Sequence, residues 1–116
     1  MIIPGAAGGP SGAPFDKEFF RRELGDDHAP VCSLADEAEV AVVELVLANG
    51  ETRDVERVLE LRRDLLVADV FEDPPDCRRL FRAYVRYDTI LGVNVRTYRN
   101  DRRTLGFKSG AVKLVE

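Results

Sequence analysis

Between residues 39 and 97 apolar positions recur in five short runs, most of them with the two-residue period of a strand that buries one face. The first run, residues 40–48 (VAVVELVLA), is apolar on both faces apart from Glu44 and ends at Asn49-Gly50. That dipeptide predicts a tight type I′ hairpin turn, whose two central residues both take positive φ. The second run, residues 51–61, sets Val55, Leu59 and Leu61 against Asp54, Glu56 and Glu60. Arg62-Arg63-Asp64 interrupts it, and residues 65–71 (LLVADVF) read as a third, mostly buried strand. Residues 72–78 contain Pro74 and Pro75, which remove backbone donors and fix φ, so they form a connection. In the fourth run, residues 80–87, Phe81, Ala83, Val85 and Tyr87 alternate with Arg82, Tyr84 and Arg86. Asp88-Thr89 makes a corner into the fifth, residues 90–97, where Leu91, Val93 and Val95 oppose Asn94 and Arg96.

Short strands with tight connections pair antiparallel, because parallel neighbours need long crossovers. Five such strands leave open edges unless the sheet curls or pairs with a neighbour. The expected fold is therefore mainly β: a five-stranded antiparallel small barrel that self-associates through its edge strands. Ahead of it, residues 15–24 (FDKEFFRREL) predict a short helix. Asp16 is its N-cap, Phe15 and Phe20 occupy the two staple positions, and Gly25 is placed to end it in a left-handed conformation. At about ten residues it needs a docking surface to be stable. A second turn is predicted at Ser33, with Asp36 as a weak capping partner. Residues 1–14, rich in Gly, Ala and Pro, read as a disordered tail. Their glycines lack the preceding strand and the Lys-Ser/Thr of a phosphate loop. Residues 15–97 hold the helix and barrel, and residues 98–116 form a basic extension. Within it, residues 111–115 alternate, as a terminal strand or as a frayed end.

Composition adds bounds rather than chemistry. A chain of 116 residues suits one domain. No apolar run approaches a bilayer span, so no membrane helix is expected. Met1-Ile-Ile-Pro has neither a basic n-region nor a long h-region, and the two cysteines suggest no disulfide framework, so the expected setting is the cytoplasm. Residues 1–77 carry 7 Lys/Arg against 18 Asp/Glu, a balance of −11, and residues 78–116 carry 10 against 3, a balance of +7. That split implies either head-to-tail contact between copies or cancellation within one folded surface.

Three groups of residues are candidates for chemistry. His28, Cys32 and Cys77 are too few and too irregularly spaced for a structural zinc site, so neither metal nor cofactor is expected. Glu44 and Asp69 are acids set inside apolar strands; brought together they would form a carboxylate pair with split pKa values, the one enzymatic alternative to a non-catalytic module. Arg82, Tyr84, Arg86, Asn94 and Arg96 share the polar face of the last two strands if these form a hairpin. Cations interleaved with an aromatic ring suit single-stranded nucleic acid, with charge for phosphates and a ring for a base. The competing reading is a solvated face whose arginines pair with acids of the same or a neighbouring copy.

The short helix followed by five strands, with VELVLANGE as first hairpin, LLVADVF as third strand and VRYDTILGVNV closing the barrel, resembles the Sm-like (LSm/Hfq) barrel over residues 15–97. An SH3-like barrel fits the same pattern. The Sm-like resemblance implies rings in which the fourth and fifth strands of neighbouring subunits pair. It also implies RNA contacts at the turns occupied here by Arg62-Arg63-Asp64 and Asp88-Thr89. Arg63 stands where that family has an acid, and Arg86-Tyr87-Asp88 replaces the Hfq-type Tyr-Lys-His. The partners implied are thus copies of the chain itself, with RNA or another protein as ligand.

Overall fold

A computed structural model describes residues 14–25, 39–72, 79–99, 106–108 and 110–115. Residues 1–13 of the N-terminal tail, the turn at Ser33, and His28, Cys32 and Cys77 lie outside the described residues. The fold is mainly β: helix α1 (Lys17–Leu24) precedes β1 (Glu39–Leu47), β2 (Thr52–Leu61), β3 (Leu65–Phe71), β4 (Leu80–Arg86), β5 (Ile90–Arg99) and a two-residue β6 (Lys113–Leu114). The strands make one sheet in the order β4-β3-β2-β1-β5, with β6 added beside β2.

Helix α1 starts because the Asp16 carboxylate accepts from the Phe19 N–H at 3.0 Å, satisfying a donor the first turn leaves open. Phe19, Phe20 and Leu24 form its buried face. Phe15 packs edge-on against Phe19, while Phe20 reaches the sheet and stacks on Tyr87 with centroids 5.9 Å apart. The helix end differs from expectation. Gly25 has φ −89° rather than a left-handed value, and glycine is required there because a Cβ would overlap the Arg21 carbonyl.

Two turn and register features depart from the simple alternation. At the β1–β2 hairpin the Gly50 N–H donates to Leu47 O, and Leu47 N–H to Glu51 O. The loop is therefore Ala48-Asn49-Gly50, with Gly50 alone following the turn at φ 87°, and not the expected two-residue type I′ turn. In β2, the register against β3 slips at Glu56 and again at Leu59. Each slip is a bulge that bends the strand and turns the next residues to the other face. The core-facing set becomes Val55, Val58 and Leu61, so Val58 replaces Leu59 in the core. Glu56, expected outward, is buried.

The link between β4 and β5 shapes the whole sheet. A flat five-stranded sheet would hold its outer strands roughly 19 Å apart. Arg86 and Ile90 are joined by a single 3-10 turn, Tyr87–Thr89, that advances about 8 Å. The two edges must converge at this end, and the sheet curls to allow it. The turn is pinned on both sides: Tyr87 N–H donates to Asp64 O, and Thr89 O accepts from Ala48 N–H. Tyr87 is buried here, its hydroxyl donating to Arg62 O at 2.7 Å. Burial above all, and then Asp16 and Asp64, push its phenol far above the usual range.

The chain beyond β5 returns to the body. Phe107 joins the core formed by Phe20, Leu24, Val43, Leu45, Val58, Leu66 and Tyr87, and Val112 packs against it. Residues 113–114 add to the sheet as β6, parallel to Glu60–Leu61.

Candidate functional site

The five polar residues expected on one hairpin face are divided between two edges. β4 pairs with β3 and β5 pairs with β1, so these strands do not form a hairpin with each other. Cα partners in an antiparallel pair share a face. Arg82, Tyr84 and Arg86 therefore stand on the outer face of β4, opposite Asp69, Val67 and Leu65. Asn94 and Arg96 stand on the outer face of β5, at the far edge of the sheet, opposite Glu44 and Val42.

Each of the arginines has a carboxylate beside it. Arg82 Nε lies 3.7 Å from Asp69. Arg86 holds Asp88 through two hydrogen bonds of 2.8 and 3.1 Å, which lower the Asp88 pKa and raise that of the guanidinium. Arg96 Nη2 lies 3.6 Å from Glu44, whose carboxylate also accepts from Asn94 Nδ2 at 3.1 Å. Lys108 sits 3.9 Å from Glu56. Three of these pairs join the basic second half of the sequence to its acidic first half, so at these places the charge split cancels within one chain.

The two acids proposed as a catalytic pair are also separated. Glu44 is on β1 and Asp69 on β3, with β2 between them, and each faces its own arginine. The carboxylate opposite Glu44 is Asp54, its Cα partner across β1 and β2. Asp54 is half-buried, and its pKa is raised by that burial first and by the Glu44 charge second, with Arg96 opposing the shift. The sequence hid this pairing because Asp54 is an ordinary polar position in an alternating strand.

Tyr84 is the most developed feature of the β4 surface. The residue is 57% exposed, and its ring carries the Arg62 guanidinium 5.5 Å from its centroid. Arg62 also donates to Glu60 at 3.1 Å, while its Nε is buried without a hydrogen-bond partner. Val67, the cross-strand partner of Tyr84 on the same face, is buried. On the opposite, inner face of β4, Arg53 lies over Phe81 at 5.8 Å. Among the described residues no three His, Cys, Asp or Glu side chains converge as a metal ion requires, and no helix is long and apolar enough to cross a membrane.

Compared with family models, with curated proteins and with solved structures, the chain matches none.

Proposed function

We propose that this chain is a small, partly open β-barrel and a non-catalytic assembly module that joins copies of itself through the edges of β4 and β5. The observation that carries the reading is where the core is uncovered. Inward positions of β1, β2 and β3, such as Val43, Leu45, Val58, Leu61, Ala68 and Val70, are sealed. Phe81 on β4 is 38% exposed, and Ala83, Val93 and Val95 are only partly covered. These lie on β4 and β5, the two ends of the five-strand order, each with one strand neighbour among the described residues. β4 also presents Leu80 and Tyr84, and β5 presents Leu91, the bulged residue opposite β1, at 65% exposure.

An unpaired strand edge with open apolar side chains is a template for another strand. The two edges differ, so the contact is head-to-tail, and it closes into a ring where the rotation permits. The reading also draws on the resemblance to Sm-like barrels, whose subunits meet through their fourth and fifth strands; here those strands are the open edges. Leu91→Lys on one edge and Tyr84→Lys on the other test it by sedimentation velocity. Each change alone should dissolve the assembly while circular dichroism stays native. Assembly that survives both refutes it.

A second reading rests on the Arg62–Tyr84 stack flanked by Arg82 and Arg86. These alternate positions on β4 set a ring between two cations about 13 Å apart, a spacing fit for single-stranded nucleic acid. The neighbouring Asp69, Asp88 and Glu60 oppose it. Binding of an oligonucleotide should then weaken steeply with salt and fall on Tyr84→Ala; salt-independent or absent binding removes it.

A further inference from the structure

A second place on the molecule is built to receive a strand, between β1 and β2 and not at the β4 and β5 edges. β1 and β2 pair only where Val43–Val46 meets Thr52–Val55. Past Val55 the bulges at Glu56 and Leu59 carry β2 away toward β3. The start of β1 and the end of β2 therefore splay, and their facing backbones line a wedge. Residues 106–108 and 110–115 occupy it. Phe107 N–H donates to Ala41 O on one wall at 2.7 Å, and Lys108 N–H to Glu56 O on the other at 2.6 Å. Further along, β6 runs parallel to Glu60–Leu61, and Val115 N–H donates to Leu61 O at 2.9 Å.

The seat is shaped for this segment. Gly106 lies so close to Val40 that an added Cβ would sit 2.9 Å from the valine Cβ. Phe107 fills the core at the mouth of the wedge, and Lys108 faces the buried Glu56 carboxylate. Beyond that anchor the hold is lighter: Val112 packs against the core, Lys17 Nζ donates to Val115 O at 3.2 Å, and the strand bridge is two residues long, while Ala111 and Lys113 are exposed and Leu114 is 51% exposed. A short element with little buried area beyond its anchor opens at lower cost than the whole fold.

We propose that the wedge is a strand-acceptor groove whose occupant exchanges between molecules, residues 106–115 of one copy seating in the groove of a second. The second copy is the occupant the groove fits, because exchange reproduces the glycine seat, the phenylalanine anchor and the Lys108–Glu56 pair in full. Exchange is reciprocal, so its product is a closed two-fold dimer and not a head-to-tail chain. It is independent of the β4 and β5 edges.

The test uses full-length chains and a fluorescent peptide of residues 105–116. Phe107→Ala empties the anchor, and Lys108→Glu sets a carboxylate against Glu56 while keeping the anchor. Either variant, folded by circular dichroism, should bind the peptide at least tenfold more tightly than the wild type, whose groove is filled. Leu91→Lys protein, which cannot assemble through β5, should form a dimer when refolded at high concentration, and excess peptide should convert that dimer to monomer. A folded Lys108→Glu chain that ignores the peptide overturns the proposal, whatever Phe107→Ala does. So does a Leu91→Lys chain that stays monomeric after concentrated refolding.

Discussion

Phe107→Ala measures whether the end of the chain belongs to the core. Phe107 is 7% exposed and packs within the cluster that includes Val43, Leu45 and Phe20. Truncating a buried phenylalanine costs about 3–5 kcal/mol, made up of lost transfer energy and the cavity left behind. Phe107 sits at the edge of the core, where Val112 and the wedge walls can partly collapse, so the lower end, about 3 kcal/mol, applies. A domain of this size is stable by roughly 6–17 kcal/mol, so the variant still folds. Its melting temperature should fall by about 12 °C, taking roughly 4 °C per kcal/mol. Leu114→Ala, on the exposed side of the same segment, is the control and should stay within about 0.5 kcal/mol of wild type. Urea unfolding followed by far-ultraviolet circular dichroism separates the two, with the slope unchanged if only the native state is affected. A Phe107→Ala chain as stable as Leu114→Ala would mean that the C-terminal segment is an appendage, and the wedge argument would fall with it.

Three further changes probe single features. Tyr87→Phe removes the hydroxyl that satisfies Arg62 O and should cost about 1–2 kcal/mol by chemical denaturation, while leaving the Phe20 stack in place. Asp54→Asn should stabilise the protein at pH 7 by about 0.5 kcal/mol, since it removes a like-charge pair across β1 and β2 in a partly screened site. The folded-state pKa of Asp54 is raised, so protonation favours the fold. That contribution is present in full below the ordinary carboxylate range and is lost as pH rises through the raised value. Unfolding measured from pH 4 to 7 should therefore show a flatter profile for Asp54→Asn than for wild type. Gly50→Ala should cost about 1 kcal/mol in thermal unfolding through backbone strain alone, because φ is 87° and nothing lies within 4 Å of the added Cβ.

Which parts of this structure could be read in advance follows from how local their causes are. β3 is bounded by Arg62-Arg63-Asp64 on one side and a proline-bearing connection on the other, and its limits were legible in those breakers. The Asp16 cap was equally legible, because the interaction closes within one turn. The alternation of β2 fails at Val58 and Glu56, because its bulges are set by how the strand must bend between β1 and β3, which no window of β2 records. β4 and β5 looked like a hairpin because three residues join them. The curl that sends the chain from one edge of the sheet to the other depends on all five strands. The partner of Glu44 is likewise set by strand order, which places Asp54 and not Asp69 opposite it, and nothing marks Asp54 amid the charges of β2. Phe107 stands alone among basic and glycine residues, with no period to mark it as core.

Native mass spectrometry of the wild-type chain at low salt and tens of micromolar concentration shows whether the open β4 and β5 edges join copies. Joined edges give a closed oligomer of more than two chains that Leu91→Lys reduces to smaller species. A wild-type chain that remains monomeric under those conditions would contradict that joining.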